Sequence, residues 1–306
     1  MGSRRTHRVT LHDIHLAIKL QRLSDEVRDA ISSDFDLNLN QSLFGSTALS
    51  LSLYYNFNEA FNLLLDRHLR TCVLDLDQLS FDPQRRLEPS LVTAVRLGNQ
   101  SAVSRLLHCG ADIEAVDGFG HTALWTAARE RRFTIAVSLL CGGATVRPSP
   151  RAASLPVFAA SRLSCRRTDI TQLLIVAGAD DVNNDAQSLL ARLLAPGRHS
   201  VIRLLLAACH VTVPPGHVTH DDVIDSLLVN YSSEPASLTS QCRWTIRRVV
   251  SRAMDGRHFL TALSRLPLPR SLVDYLSLVD HVTHCELIEN DLLSWSQLVQ
   301  YMTTCD

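Results

Sequence analysis

Apolar positions along this chain recur with a period of 33 residues. With Leu124 in Gly-His-Thr-Ala-Leu-Trp-Thr-Ala-Ala (120–128) as a mark, steps of 33 land on Leu91, Val157 and Leu190. Toward the amino end, Leu49 in Gly-Ser-Thr-Ala-Leu takes the same place, and another 33 residues back is Leu16. The step from Leu49 to Leu91 is 42 residues, which puts about nine extra residues between 66 and 90. Fifteen residues past the marks, a second apolar helix is expected at Ile31, Leu64, Leu106, Leu139 and Leu205. A two-residue insertion moves that position to Leu174-Ile175 in one period. Gly110-Ala111, Gly143-Ala144 and Gly178-Ala179 then supply stops after the second helix. Each period thus predicts a pair of short helices that buries its apolar side only against neighbouring pairs.

The period, the Thr-Ala-Leu-x-x-Ala-Ala start and the Leu-Leu-x-x-Gly-Ala end resemble the ankyrin repeat. Residues 84–116 and 117–149 match closely, 42–74 and 150–182 clearly, and 9–41 and 183–212 in the degenerate form of terminal caps. The resemblance implies an all-α ankyrin-repeat solenoid of about six repeats over 9–212, after an extension at 1–8.

A different pattern follows. In Ser-Leu-Thr-Ser-Gln-Cys-Arg-Trp-Thr-Ile (237–246), Leu238, Cys242 and Ile246 fall at i, i+4 and i+8, a narrow apolar stripe on one helix face. Leu266-Pro267-Leu268-Pro269 then forms a stiff corner, followed by Leu272 and Tyr275. A stripe that small cannot fold alone, but it suits insertion into a partner's groove. The segment 237–276 resembles a SOCS box. Together with the repeats it is similar to the ankyrin-repeat and SOCS-box proteins, substrate receptors of cullin–RING ubiquitin ligases. The resemblance implies that Leu238, Cys242 and Ile246 bind elongin C, with elongin B alongside. It also implies that Leu266, Pro267, Leu268, Pro269, Leu272 and Tyr275 meet cullin-5, which carries its RING-box protein. A helical connector at 213–236 and a helical extension at 277–306 lie outside the usual pattern. In the extension, Leu287, Leu292, Leu293, Trp295, Leu298, Val299 and Met302 approximate an apolar helix face.

Composition narrows the rest. Hydrophobic residues make up 46% and aromatics 6%, the profile of a helical protein, and a net charge of −1 offers no global field toward nucleic acid or an anionic membrane. Neither a signal-peptide core nor an apolar run of about 18–20 residues is present, so a cytoplasmic or nuclear setting is expected. The eight cysteines carry no C-x-x-C pair and read as reduced. Twenty-nine of the thirty basic residues are arginine, and only Lys19 is lysine. Codon composition would give that bias. So would avoidance of self-modification beside an activated ubiquitin.

In the ankyrin resemblance, the residue five past each mark faces the concave side: Tyr54, Arg96, Arg129 and Arg162. Hairpin tips carry Phe44, Arg85, Arg86, Phe119 and Arg151, and Tyr55 and Trp125 add aromatic area. Arginine and aromatic residues most often carry interface energy, so a client with acidic residues and an apolar anchor is expected here. The alternative keeps these arginines as surface groups paired with Glu88, Asp117 and Glu130. No catalytic residue, cofactor or metal is expected. Cys242 beside Arg243, Arg247 and Arg248 reads as an apolar contact rather than a nucleophile, and His217, His220, His281, His284 and Cys285 lack a fourth ligand at convincing spacing. The competing function is a plain ankyrin scaffold, or an inhibitor that sequesters elongin and cullin.

Overall fold

The computed structural model describes residues 9–33, 38–147, 155–161, 168–179, 185–194, 198–211, 213, 221–233, 235–254, 259–281, 297 and 300–302. The chain divides into two compact units, Met1–Ala123 and Leu124–Asp306. The first contains three helix pairs: α1 (Leu11–Lys19) with α2 (Asp25–Ser32), α3 (Ala48–Tyr54) with α4 (Asn58–Thr71), and α5 (Ser90–Leu97) with α6 (Gln100–His108). A two-stranded antiparallel hairpin, β1 (Ser80–Phe81) and β2 (Leu87–Glu88), stands between the second and third pairs. In the second unit come α7 (Ala123–Arg129) with α8 (Phe133–Cys141), α9 (Pro156–Ser161) with α10 (Asp169–Val176), and α11 (Asp185–Leu193) with α12 (His199–Ala208). It ends with α13 (Asp222–Ser233), α14 (Leu238–Ala253), α15 (Phe259–Ser264), α16 (Arg270–Leu276) and a single 3₁₀ turn at 279–281.

Local chemistry explains why the helices begin and end where they do. Thr10 with Asp13, and Thr47 with Ser50, form capping boxes that satisfy orphan amides at the starts of α1 and α3. Between the helices of a pair, the residue seven past the mark turns left-handed: Asn56 at φ 52°, Gly98 at 74° and Arg131 at 58°. Only glycine does so without a Cβ penalty. After α6, α8 and α10 the amide of Ala111, Ala144 or Ala179 reaches back to the carbonyl of Leu106, Leu139 or Leu174. Gly110, Gly143 and Gly178 supply the left-handed residue that this closure needs.

The core follows the period. Leu49, Leu91, Leu124, Val157 and Leu190 are buried, as are Ile31, Leu64, Leu106, Leu139, Leu174, Ile175 and Leu205. Leu16 is the exception: it is exposed on α1, a helix that no other described helix precedes. The extra residues expected between 66 and 90 lengthen α4 and build the β1–β2 hairpin. That hairpin joins its neighbours' tips by main-chain bonds, Phe81 N–H to Gly45 O at 2.7 Å and Gly118 N–H to Leu87 O at 2.8 Å.

The carboxyl-terminal helices dock on the second unit through arginines. Arg247, one of the most buried side chains of the chain at 1% exposure, donates to Ile175 O in α10 (2.8 Å) and to Leu276 O in α16 (2.7 Å). Its guanidinium also lies 4.6 Å from the Phe259 ring centroid. Beside it, Phe259 N–H donates to Ala177 O, and a Cβ on Gly178 would stand 3.0 Å from both Phe259 Cβ and Ser251 Oγ. Trp244 Nε1 donates to Ala207 O at the end of α12, and Tyr231 of α13 accepts from Val211 N–H. In the tail, Arg270 donates to Gln300 and Met302 is buried. The other residues of the apolar face expected there lie outside the described residues, as do His217, His220, His284 and Cys285.

Replacing Arg247 with alanine takes a donor from Leu276 O and from Ile175 O, the latter keeping Gly178 N–H, and opens a void. Arg247→Ala is expected to lower unfolding free energy by about 3 kcal/mol, read by urea denaturation. His15 is buried in α1, and burial, with the charge of Lys19 behind it, lowers its pKa from 6.5 to about 4. The folded state therefore resists a proton that the unfolded chain accepts, and stability is lost as pH falls from about 6.5 toward 4. An NMR titration of the His15 ring should show a midpoint near 4, and His15→Leu should flatten that part of the acid limb.

Candidate protein-interaction surfaces

Helix α14 has the reverse of the usual surface-helix arrangement. The face turned inward carries Arg243, Arg247 and Ser251, all buried, while the outward face carries Leu238, Cys242, Ile246 and Val249. Leu238 is 76% exposed and Ile246 36%. The helix starts cleanly, with the Ser237 hydroxyl accepting from Ser240 N–H, so Leu238 occupies its first position. Solvent therefore meets an ordered apolar stripe on a helix whose other side is already fixed.

The guanidiniums of Arg243 and Arg247 point away from Cys242. Arg243 lies 3.8 Å from the Tyr275 ring centroid and hydrogen-bonds His281 Nε2 at 2.8 Å. Cys242 stays exposed on the stripe. The proline corner is exposed at Leu266, Pro267 and Pro269, and Leu268 N–H closes a tight turn onto Leu266 O. Leu272 is half-buried on α16. Tyr275 is also half-buried, with its hydroxyl donating to Thr239 O at 2.6 Å, so it ties α16 to the start of α14. Sequence reasoning missed Arg243 and Arg247 as structural residues. An arginine on the side of a helix opposite an apolar stripe reads as a solvated group, and only the fold reveals carbonyl acceptors beneath it.

The other candidate surface separates into parts. In the first unit, Phe44 and Phe119 project from hairpin tips at 91% and 73% exposure. Phe44 is held at φ 56° next to Gly45, and Phe119 N–H is fixed by the Asp117 carboxylate. Arg85 and Arg86 stand exposed on the β1–β2 turn, and Tyr54 is half-buried at the end of α3. Arg96 departs from the client-facing expectation and takes the Glu88 partner of the alternative, but enclosed instead of at the surface, with Nη2 2.8 Å from Asp82 Oδ2 and Nε 2.9 Å from Glu88 Oε2. Those two carboxylates already neutralise it, so it locks the β-hairpin to α5 instead of offering charge to a client. In the second unit, Trp125 is 6% exposed because its position on α7 points into the core. Arg129 is exposed over the Trp125 ring, with Glu130 at 3.9 Å. Arg151 and Arg162 lie outside the described residues. Among the described residues, no group of three or more His, Cys, Asp or Glu could hold a metal ion, and no helix is long and apolar enough to cross a membrane.

Comparison with known proteins agrees with both halves of this geometry. The SOCS box family model matches residues 234–277. An ankyrin repeat domain from Acinetobacter baumannii AYE shares the fold, with a TM-score of 0.51 and 22% identity over 64% of this chain and 96% of that one. Among curated proteins, neurogenic locus notch homolog protein 1 of Xenopus laevis is 32% identical over 116 residues, 38% of this chain and 4% of the relative. The Homo sapiens protein of the same name is 29% identical over 147 residues, 48% of this chain and 5% of the relative. The chain thus spans only a small fraction of the relatives it matches, and it combines ankyrin-type repeats with a SOCS box.

Removing the Arg96 side chain leaves two buried carboxylates without their shared counter-ion. Arg96→Ala should therefore destabilise the fold by about 3 kcal/mol, measured by chemical denaturation, whereas exposed Arg85→Ala should change it by less than about 0.5 kcal/mol.

Proposed function

We propose that this chain, ankyrin-type repeats ending in a SOCS box, is the client-recruiting subunit of a cullin–RING ubiquitin ligase. The observation that carries the reading is the reversed helix α14. Its polar face is consumed by the fold and its apolar face (Leu238, Cys242, Ile246) is left ordered in solvent. Ordering apolar residues outward costs free energy unless a partner covers them, and a helix laid into a hydrophobic groove is the geometry that does so. Elongin C is the partner for this stripe, with elongin B alongside. The exposed Leu266-Pro267-Leu268-Pro269 corner with Leu272 is the surface for cullin-5 and its RING-box protein. Tyr275 supports that surface by holding α16 to α14.

The client is read as a protein segment with an apolar or aromatic anchor and acidic residues. Phe44 and Phe119 offer projecting apolar area, and Arg85 and Arg86 offer charge that no described acidic side chain neutralises. Arg129, with Glu130 at 3.9 Å, is a separate exposed arginine in the second unit. The chain itself supplies no reaction: it binds, and transfer is performed by the ligase it joins, in the cytoplasm and the nucleus. Its contribution to rate is proximity, which makes an encounter between client and ubiquitin carrier effectively intramolecular.

Because Leu238 and Cys242 are exposed, changing them should leave the chain folded. Leu238→Asp with Cys242→Asp is expected to weaken co-elution with elongin B and C by about a hundredfold while the melting temperature holds. Equal retention of the double variant and the wild type would overturn the reading.

A further inference from the structure

The chemical group this chain most nearly lacks is the primary amine of lysine. Twenty-nine of its thirty basic side chains are arginine, and residues 124–306 hold no lysine at all. At some positions packing explains the choice. Arg96, Arg105 and Arg247 each use two guanidinium nitrogens on separate acceptors, which an ammonium on a single stem cannot reproduce. Other positions carry no such demand. Arg203, Arg248 and Arg265 are exposed in the second unit, and their side chains donate to no described residue. The same holds for Arg22, Arg85, Arg86 and Arg131 in or beside the other repeats. Lysine would preserve charge there, and on α12 and α14 it forms helix about as well. Fold stability therefore does not account for its absence.

We propose that Lys19 is the one lysine at which the assembled ligase can conjugate this chain, arginine elsewhere withholding the nucleophile. The inference rests on the reading of the preceding subsection. Lys19 stands exposed in the last turn of α1. In the transfer, its neutral Nζ attacks the carbonyl carbon of the thioester that joins the ubiquitin carboxyl terminus to its carrier. A C–N amide bond forms, the C–S bond breaks, the sulfur leaves as thiolate, and the amine proton passes to solvent. No oxidant or reductant takes part. A guanidinium remains protonated to above about pH 12 and its lone pairs are delocalised, so it does not perform this attack. A receptor held in the assembly meets the carrier at an effective concentration of about millimolar, and each exposed lysine would compete with the client for ubiquitin.

The test reconstitutes the full chain with elongin B, elongin C, cullin-5 and its RING partner, supplied with ubiquitin, activating enzyme and carrier. Three versions are compared: wild type, Lys19→Arg, and Arg203→Lys/Arg248→Lys/Arg265→Lys, whose changes break no described contact. Co-elution with elongin is recorded on the same samples, and conjugates are read as ubiquitin remnants on lysine ε-amines by peptide mass spectrometry. The expected result is a remnant at Lys19 alone in wild type and none in Lys19→Arg. The triple variant should assemble normally and gain conjugates at the new lysines, about tenfold over wild type. An assembled triple variant conjugated no more than wild type would overturn the inference and leave codon composition as the cause of the bias. Absence of a Lys19 remnant in assembled wild type would overturn the assignment of that residue. Failure of every version to assemble would overturn the ligase reading, and this inference with it.

Discussion

A guanidinium sealed inside the second unit sets how the SOCS box can be used. Arg247 spans from the carbonyl of Ile175, on a repeat helix, to the carbonyl of Leu276, at the end of α16. Both acceptors lie at helix carboxyl ends, where carbonyls lack intrahelical partners and the helix dipole favours a cation. A buried charge is tolerated only with such partners, so the arginine admits one rotational setting of α14 and few others. The orientation of the apolar stripe is a consequence of that setting. Were α14 to roll by a third of a turn, Leu238 and Ile246 would face the repeats and the exposed apolar stripe would disappear.

Gly178 serves the same junction from the other side. Its left-handed conformation closes α10, and the absence of a side chain lets Phe259 and Ser251 approach. One residue thus ends a repeat helix and admits the box. This dual duty links a feature common to several repeats with a contact made at only one of them. Gly110 and Gly143 occupy the equivalent turn with nothing near the missing Cβ.

Arginine recurs through these arrangements in two capacities. Enclosed, it joins elements by satisfying several acceptors at once, as Arg96 joins the β-hairpin to α5 and Arg105 joins α6 to α4. Exposed, it supplies charge without a nucleophile. The first capacity follows from the planar fork and the second from delocalisation of its lone pairs.

Much of this architecture was legible in one dimension. The 33-residue period marked Leu49, Leu91, Leu124, Val157 and Leu190 as core because a repeated helix pair must bury the same face each time. The i, i+4, i+8 spacing alone placed Leu238, Cys242 and Ile246 on one side of a helix. Neither pattern reveals what lies beneath a side chain. Arg96 and Arg129 occupy equivalent places in the period, yet one is enclosed by Asp82 and Glu88 and the other is exposed. The difference follows the residue eight before each arginine, Glu88 for Arg96 and His121 for Arg129, so only one of them finds a carboxylate at that place. Trp125 looked like surface aromatic area and is core, since α7 turns it inward. Periodicity fixes which residues share a face, a local property of backbone geometry. Which face is buried, and which arginine finds a partner, depends on residues distant in sequence, and only tertiary packing brings those together.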